Sequence, residues 1–370
     1  MRKQEIRRVA VIGAGPVGIE AALYARLCGL PVMVYEQGEV GEYVQRWGHV
    51  RMFTPWSWNV SPWGLQVLQA EYPQRTWPGE GELLTGHEYR QEYLLPLAEC
   101  SFLRDSLQLG MRVVQVGQSR NGQSWRLLLE DRQGQEHLAE ADVILDCSGV
   151  YGQPRWLGEG DLPARGERAA RPHIPHGVVD ILGKDRADYA SRSVLVVGGG
   201  YSAASNVVAL ATLAEEERET WTFWVTHLPR GQPLPRLPAD PLKERDRLAA
   251  RANMLATRGD GHVEYYPQTV LDEVSYLGSQ AGFHIAGRSQ GKSVSWCVDR
   301  VIACVGYRPA PLVASGLSVS EGTYYILGAK AQPRTFLLAD AWSRIQEVIG
   351  RLAAVPATRF AKASTGMKAA

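Results

Sequence analysis

The first forty residues alternate short apolar runs with a glycine-rich turn and a helix-forming stretch. The apolar run Val9–Ile12 is followed by the turn, then by the good helix formers of residues 19–27, and then by a second apolar run at residues 31–35. Uninterrupted runs of four or five apolar residues are typical of parallel strands that are buried on both faces. The pattern therefore predicts a strand–turn–helix–strand unit, the building block of an α/β fold.

The same pattern recurs in the second half of the chain. An apolar run at residues 194–197 leads into a glycine-rich turn, an apolar helix and a further strand at residues 221–226. Both halves also end on a segment of the form D-x-apolar-apolar-x-C-x-G, at residues 142–149 and 299–306, after hairpin-like segments. A repeat of this length indicates a domain duplication. We therefore predict an α/β protein with two doubly wound Rossmann-like domains, each carrying a β-meander.

The first glycine-rich turn has the spacing G-x-G-x-x-G in its strand–turn–helix setting. Gly13 permits a tight turn, Gly15 lets a pyrophosphate approach the backbone, and Gly18 lets the helix and strand pack closely. Pro16 lies within the turn, and the helix N-terminus that follows offers free N–H groups to the phosphates. Glu36 ends the next strand, 18 residues after the last glycine, where a carboxylate can accept hydrogen bonds from a ribose diol. The turn is predicted to bind a dinucleotide.

The second glycine-rich turn is a G-x-G-x-x-A variant and predicts a second dinucleotide site. The residues assigned to this site are Gly198, Gly200, Ser202 and Ala203. No acidic residue ends the strand that follows; His227 and Arg230 lie just beyond it, which favours a 2′-phosphate over a free 2′-hydroxyl. The cofactor is then NADPH, with NADH the alternative if these two residues are ordinary solvated loop positions.

Charge, cysteine content and the length of the apolar runs narrow the classes of function. The 370 residues carry 40 Lys and Arg against 39 Asp and Glu, and a formal net charge of +1 argues against an electrostatically driven nucleic-acid binder. No apolar stretch approaches the roughly 18 residues of a membrane span, and the N-terminus lacks a signal-peptide core. The five cysteines include no C-x-x-C pair, so we expect a cytoplasmic protein with structural thiols and assign no metal site.

These motifs resemble those of the two-dinucleotide-binding-domain flavoproteins, the broad group that holds thioredoxin-reductase-like enzymes and flavin-containing monooxygenases. The resemblance implies that the first turn binds FAD, that the second binds NAD(P)H, and that the second domain is inserted into the first. The FAD-binding domain is then residues 1–155 and 295–360, the NAD(P)H-binding domain is residues 156–294, and residues 361–370 form a flexible tail.

Three further FAD contacts follow from the resemblance. Asp340 lies in a stretch, residues 335–341, that is similar to the late strand whose aspartate reaches the ribityl chain and pyrophosphate of FAD in this group. Trp47 lies roughly where the monooxygenases carry a G-G-x-W motif, and Val114 lies in the meander of the FAD domain. The helix near residues 344–354 would then cap the flavin.

The resemblance leaves two enzyme classes in competition. A disulfide reductase of this group needs a reactive cysteine pair beside the flavin, and the chain has no C-x-x-C. The second turn, with Ser202 and Ala203, is instead similar to the G-x-G-x-S-[GA] turn of flavin-containing and Baeyer–Villiger monooxygenases. We therefore favour a monooxygenase, in which reduced FAD reacts with molecular oxygen and a flavin C4a-(hydro)peroxide oxygenates a nitrogen, sulfur or carbonyl group of a small molecule.

The alternative enzyme is a reductase that passes electrons from NAD(P)H to a quinone, a protein or a small-molecule acceptor. The short chain and the motif at Asp340 favour this class. A third class, a sensor that binds FAD without catalysis, has less need of an intact second turn. The sequence identifies neither the substrate nor the oligomeric state, and a homodimer is among the states left open.

Five of the 11 tryptophans fall between residues 47 and 77, in a stretch rich in proline, glycine and serine. By the architecture that the resemblance implies, this stretch passes near the isoalloxazine ring. One interpretation is an aromatic pocket that stacks the substrate and keeps water from the flavin, and the other is ordinary core packing. The candidate catalytic residues here are His49, as a general base or a core hydrogen-bonder, and Asn59, by similarity to an asparagine that flavin-containing monooxygenases place near the flavin.

Overall fold

The computed structural model of the chain describes residues 7–229, 231–237, 239–258, 261–313, 322–331 and 338–353. The chain divides into a first unit, Met1–Gly152 with Pro309–Ala370, and a second unit, Gln153–Arg308. The strands of the described residues are, in chain order, β1 (Val9–Ile12), β2 (Val32–Glu36), β3 (Leu107–Leu109), β4 (Arg112–Gln118), β5 (Trp125–Glu130), β6 (Glu136–Ala141), β7 (Val143–Asp146), β8 (Ser193–Val197), β9 (Trp221–Val225), β10 (Val263–Tyr266), β11 (Thr269–Gly278), β12 (Gly282–Ser289), β13 (Lys292–Val298), β14 (Arg300–Ala303) and β15 (Tyr324–Ile326).

The helices connect these strands and vary from one turn to four or more. In chain order they are α1 (Pro16–Leu27), α2 (Glu42–Arg46), α3 (Trp56–Asn59), α4 (Pro62–Glu71), α5 (Gly86–Tyr89), α6 (Leu95–Glu99), α7 (Glu167–Ala170), α8 (Arg186–Tyr189), α9 (Tyr201–Glu216), α10 (Lys243–Thr257) and α11 (Leu338–Ala353). A π-helical turn, Arg90–Leu94, joins α5 to α6, and a 3₁₀ turn, Gly328–Lys330, follows β15. Among the described residues, no helix is both long enough and apolar enough to cross a membrane.

The first unit is built on a five-stranded parallel sheet with the strand order β15-β7-β1-β2-β3. All four residues of β1 are buried, as are all four of β7, because both are internal strands covered on both faces. A separate antiparallel meander, β4-β5-β6, belongs to the same unit. The carboxyl ends of β1 and β7 lie side by side, with Ile12 in register with Asp146.

The second unit repeats this architecture. Its parallel sheet has the order β10-β9-β8-β14, and its antiparallel meander has the order β11-β12-β13. The predicted α/β fold with two Rossmann-like sheets, each accompanied by a meander, is confirmed. The helix that follows the glycine-rich turn is α1 in the first unit and α9 in the second.

The boundary between the units differs from the predicted one at residues 295–308. The sequence predicts this segment in the first domain. However, β14 pairs in parallel with β8, with Val301 opposite Leu195, so the segment belongs to the second unit. The physical reason is the duplication itself. Residues 299–306 correspond to residues 142–149, and each copy supplies the neighbour of its own first strand.

The core of the first unit includes the contact between α1 and α11. Helix α1 is buried along its second and third turns, and the buried residues of α11 are Ile345, Val348, Ile349 and Leu352. Their i, i+3, i+4, i+7 spacing gives α11 one apolar stripe, which packs into the cluster that contains Ile19 and Leu23. A helix had been predicted near residues 344–354, and α11 covers most of that range.

Candidate functional site

The first glycine-rich turn adopts a conformation that excludes side chains at two positions. Gly13 has a φ of +100°, and a Cβ there would lie 2.8 Å from the carbonyl oxygen of Cys147. A Cβ on Gly18 would lie 1.8 Å from the carbonyl oxygen of Gly13. Glycine is needed at both positions because its missing Cβ permits the left-handed conformation and the close backbone approach. The turn thereby brings the start of α1 against the carboxyl ends of β1 and β7.

The outer side of the same turn is open. Gly15 is the residue before α1, and Pro16 is the first residue of the helix. A Cβ on Gly15 would have no atom within 4 Å. No side chain caps this end of α1, so the free N–H groups of its first turn and the positive end of its dipole remain available. Backbone donors at an uncapped helix N-terminus, next to a glycine with open space, fit the phosphates of a dinucleotide.

Glu36 supports the turn from the end of β2. Its Oε2 accepts a hydrogen bond from the Ala14 N–H at 2.7 Å, and its Oε1 accepts one from the Gly38 N–H at 2.9 Å. Burial raises the pKa of this carboxyl, while the backbone hydrogen bonds act in the opposite direction. Each carboxylate oxygen has a second lone pair, so Glu36 can hold the turn and still accept a hydrogen bond from a ribose hydroxyl.

Behind the turn, α1 carries a buried carboxyl that the sequence analysis did not single out. Glu20 is only 2% exposed. Its Oε2 accepts a hydrogen bond from Ser61 Oγ at 2.6 Å, and its Oε1 accepts bonds from the Ser61 N–H and the Tyr93 hydroxyl. Burial dominates over these bonds and raises the pKa of Glu20 to about 7. An acidic residue among the apolar positions of a predicted buried helix was the signal available in the sequence.

The raised pKa of Glu20 predicts a specific pH dependence of stability. The folded state holds the proton up to about pH 7, whereas the unfolded chain releases it near pH 4.5. The free energy of unfolding should therefore fall as the pH rises through this window, by about 3 kcal/mol in total. Glu20→Gln mimics the protonated carboxyl and removes this loss, so the variant should gain stability relative to the wild type between pH 4.5 and 7.5.

Urea unfolding of the two proteins at several pH values measures this difference directly. Glu99→Gln, at an exposed carboxyl at the end of α6, is the matched control and should give a pH profile parallel to that of the wild type. A constant difference between Glu20→Gln and the wild type across the window would contradict the prediction.

A buried ion pair lies at the carboxyl end of β7, next to the first turn. Lys330 Nζ lies 2.6 Å from Asp146 Oδ2, and the two side chains are 5% and 0% exposed. The Tyr324 hydroxyl donates to the same oxygen at 2.7 Å, and Ser148 Oγ donates to Asp146 Oδ1 at 2.6 Å. The carboxylate is thus surrounded by donors from β15, from the 3₁₀ turn after it and from its own loop.

The sequence contains one signal for this cluster. Asp146 follows the apolar residues 143–145 of a strand that is buried on both faces, and its counterpart in the repeat is Ala303. A charge at a position that the other copy fills with alanine indicates a function or a buried partner. The partner, Lys330, could not be identified from the sequence because the two residues are 184 positions apart.

The tryptophan-rich stretch is mostly part of the core of the first unit. Trp56 in α3 and Trp63 in α4 are buried. The Trp56 ring meets Tyr93 edge-on at 5.7 Å, and the Trp63 ring lies 4.9 Å from Tyr24. These contacts favour the core-packing interpretation for these two residues. The indole Nε1 of Trp47 and that of Trp63 are each buried without a hydrogen-bond partner among the described residues.

The two candidate catalytic residues have very different surroundings. His49 is exposed, after α2. Asn59 is buried and its side chain is used locally: Oδ1 accepts from Thr54 Oγ1 at 2.8 Å, and Nδ2 donates to the carbonyl oxygens of Thr54 and Pro55 at 3.0 Å. These bonds stabilise the turn before α3, so they favour a structural role for Asn59 over the predicted catalytic one. The role of His49 stays a prediction.

The second glycine-rich turn has the same geometry as the first. Gly198 has a φ of +140°, and a Cβ there would lie 2.2 Å from the carbonyl oxygen of Cys304. Gly200 caps α9, and a Cβ on it would have no atom within 4 Å. Ser202 is exposed on the first turn of α9, and Ala203 is buried against the sheet. This turn therefore offers a phosphate the same open approach to a helix N-terminus.

The remaining predicted contacts are spread over several elements. His227 is exposed two residues after the end of β9, and Arg230 lies outside the described residues. Val114 is half-buried at a bulge in β4, where the register with β5 shifts between Val113 and Gln115.

The strand predicted at residues 335–341 needs correction. Its first three residues lie outside the described ranges, and from Leu338 onward the chain is helical, so Asp340 is an exposed residue in the first turn of α11. The strand next to β7 is β15, which is followed by the turn that carries Lys330.

The cysteines carry no activated thiol pair. All five are free. Burial raises the pKa of Cys147 well above its usual range, and burial raises the pKa of Cys304 to about 12. Nucleophilic thiols have lowered pKa values, so neither of these residues is suited to thiol–disulfide exchange.

Comparisons with known proteins agree with this α/β architecture. The family model described as pyridine nucleotide-disulphide oxidoreductase matches residues 10–323. A curated relative, the flavin-containing monooxygenase ustF1 of Aspergillus flavus, is 25% identical over 212 residues, which are 55% of this chain and 50% of the relative. The match thus spans half of the length of that curated protein.

Three solved structures illustrate the range of proteins that share the fold. The FAD-bound cadaverine monooxygenase DfoA of Erwinia amylovora has a TM-score of 0.67 at 17% identity and covers 94% of this chain and 95% of its own. The ornithine N-hydroxylase of Kutzneria sp. 744 has a TM-score of 0.67 at 14% identity, with 94% and 98% covered. The bacillithiol disulfide reductase of Bacillus cereus has a TM-score of 0.65 at 15% identity, with 94% and 99% covered. At these identities the likeness establishes the fold alone.

Proposed function

Because the chain belongs to the pyridine nucleotide-disulphide oxidoreductase family, we propose that it is an enzyme that binds FAD at its first glycine-rich turn and NADPH at its second. We further propose that it is a monooxygenase that oxygenates a nitrogen, sulfur or carbonyl group of a small molecule. The observation that carries the proposal is the matched geometry of the two turns. Gly15 and Gly200 each leave open space beside an uncapped helix N-terminus, as two separate dinucleotides require.

In the first site, the residues of the chain bind FAD and orient it. The N-terminus of α1 receives the diphosphate, while Glu36 keeps the turn in place and accepts from the adenosine ribose. Bound FAD would accept a hydride from NADPH and pass its electrons to molecular oxygen or another acceptor. The contribution of the protein is to fix the position of the cofactor and to limit the access of water.

The monooxygenase class is supported over a disulfide reductase by the state of the thiols. Cys147 is buried and Cys304 is half-buried, their surroundings raise the pKa of both thiols and so keep them neutral, and the chain has no C-x-x-C pair. The curated relative, half of whose length aligns with this chain, is a flavin-containing monooxygenase. Two of the solved structures with this fold are described as an amine monooxygenase and an ornithine N-hydroxylase, so primary amines are the first substrate class to test.

The experiment that tests the proposal is a product balance on the FAD-loaded protein. NADPH oxidation, oxygen uptake, hydrogen peroxide and oxygenated product are measured together with panels of amines, sulfides and ketones. A monooxygenase gives one oxygenated product per NADPH with a coupled substrate, and little peroxide. Rapid anaerobic turnover with a quinone or ferricyanide, without any oxygenated product, would overturn the monooxygenase and support the reductase. A protein that binds no flavin would overturn both.

The choice of NADPH over NADH gives a second prediction. His227 follows β9, where the 2′-phosphate of NADPH is expected, and Arg230 is assigned to the same phosphate from the sequence. The double variant His227→Ala/Arg230→Ala should raise the KM for NADPH by about 10-fold because charge-assisted hydrogen bonds to the phosphate are lost. The KM for NADH should change by less than about twofold.

Flavin reduction by each nucleotide, followed by stopped-flow absorbance, measures this split. Arg258→Ala, at an exposed arginine directly after α10, provides a matched removal of positive charge in the same unit. Equal losses for NADPH and NADH would show that the two residues do not recognise the 2′-phosphate.

A further inference from the structure

Lys330 is a buried cation at the carboxyl edge of the first parallel sheet. It ends the 3₁₀ turn that follows β15, and its side chain is 5% exposed. An ammonium group removed from water is costly unless it is paired and hydrogen-bonded. Asp146 supplies the pairing at 2.6 Å, and Ser148 Oγ accepts a second hydrogen bond at 3.2 Å.

The residues that hold Lys330 also touch the first glycine-rich turn on two sides. On the side of β7, Ser148 lies against Gly13, because a Cβ on that glycine would meet the Cα of Ser148 at 3.2 Å. On the side of β15, Gly328 lies against α1, because a Cβ on it would meet Cγ2 of Val17 at 3.0 Å. Ser148, which accepts a hydrogen bond from the ammonium, thus contacts the turn, and Gly328, two positions before Lys330, contacts the first turn of α1.

Among the described residues, the Lys330 ammonium keeps one N–H donor that could bind a ligand. Asp146 accepts from Lys330, Tyr324 and Ser148, so the carboxylate is well satisfied. The ammonium has three N–H donors, and among the described residues two of them are used, by Asp146 and Ser148. One donor remains at the edge where the carboxyl ends of β1, β7 and β15 meet.

The position of the Lys330–Asp146 ion pair indicates a role beyond stabilising the fold. Ligands of open α/β sheets bind outside the carboxyl ends of the strands, and the uncapped start of α1 already makes this edge favourable for an anion. The corresponding position of the second sheet has Ala303 in place of Asp146, so the architecture itself does not need an ion pair here. Replacing a buried ion pair by apolar residues is often neutral for stability, which makes a purely structural role a weak reason to keep it.

We propose that Lys330 is a binding residue of the first dinucleotide site and that its ammonium donates to the diphosphate of FAD. Asp146 is the positioning residue: it holds the ammonium beside the turn, and Ser148 fixes the direction of the remaining donor. The proposal rests on the assignment of FAD to the first turn under the proposed function. It predicts that the diphosphate is bound from two sides, by the start of α1 and by Lys330.

The test is the affinity of the apoprotein for FAD, measured by quenching of flavin fluorescence. The double variant Lys330→Met/Asp146→Asn removes both charges and leaves no unpaired buried ion, so it is the variant chosen to stay folded. Its Kd for FAD should rise by about 10-fold or more through loss of a charge-assisted hydrogen bond. Lys330→Arg keeps the charge and should stay within a few-fold of the wild type.

Two further ligands locate the contact within FAD. ADP carries a diphosphate without a flavin and should lose affinity in parallel with FAD, whereas riboflavin, which has no phosphate, should bind the variant and the wild type equally. The control Arg112→Met/Glu130→Gln removes an exposed ion pair on β4 and β5 and should change none of these affinities.

Two outcomes overturn the proposal. Unchanged Kd values for FAD and ADP, with only the unfolding midpoint altered, would make the pair purely structural. Weaker FAD binding with unchanged ADP binding would place the ammonium at the isoalloxazine ring instead of the diphosphate. In both cases the wild-type apoprotein still binds FAD. If the proposed function itself is wrong, the wild-type apoprotein does not bind FAD, so the two failures can be told apart.

Discussion

Gly18→Ala is expected to abolish FAD binding and to destabilise the first unit by about 3 kcal/mol or more. The added methyl group would be placed 1.8 Å from the carbonyl oxygen of Gly13, which belongs to the backbone at the end of β1. No side-chain rotation can relieve this contact, so α1 must move away from the sheet. The helix N-terminus would then no longer be held beside the turn that receives the diphosphate.

Gly15→Ala is the matched variant because it adds the same methyl group three residues earlier. A Cβ on Gly15 has no atom within 4 Å, so the variant should fold with the stability of the wild type. Its Kd for FAD should nevertheless rise by about 10-fold or more, because the methyl group occupies the space through which the diphosphate reaches the backbone. Circular dichroism during urea unfolding and the flavin content after purification measure the two effects separately.

Both results are needed to support the assignment. Normal stability of Gly18→Ala would show that α1 does not approach β1 as closely as the structure has it. Normal FAD binding by Gly15→Ala would show that the open side of the turn is not the diphosphate site.

Asp146→Ala is expected to lower the free energy of unfolding by about 3 to 5 kcal/mol. The substitution leaves the buried ammonium of Lys330 without its counter-ion, and it removes the acceptor of the Tyr324 hydroxyl and of Ser148.

The control for this loss is the double variant Asp146→Leu/Lys330→Met. It replaces the ion pair by apolar side chains of similar size, and it should be several-fold less destabilised than Asp146→Ala. Calorimetry of the apoproteins at pH 7 gives the comparison. If the single and double variants are equally destabilised, then the cost arises from lost packing and not from an uncompensated charge.

Much of the fold followed from local patterns in the sequence. Short, continuous apolar runs such as Val9–Ile12 are typical of strands that are buried on both faces. The glycines that follow each run permit the tight turn from which the next helix starts. The duplication of these patterns predicted the two parallel sheets and their meanders. These features depend on neighbours within a few residues, so a single sequence contains the information.

The sequence by itself therefore determined the two glycine-rich turns and the class of ligand that fits them, because turn conformation and helix start are local properties. Only the tertiary structure decided the interactions between distant segments. It assigned residues 295–308 to the second sheet, gave Glu20 its partners, and joined Asp146 to Lys330 across 184 positions. It also turned the expected strand around Asp340 into the start of α11. Burial and pairing of a charge depend on which segments meet in space, and no periodicity along the chain records that choice.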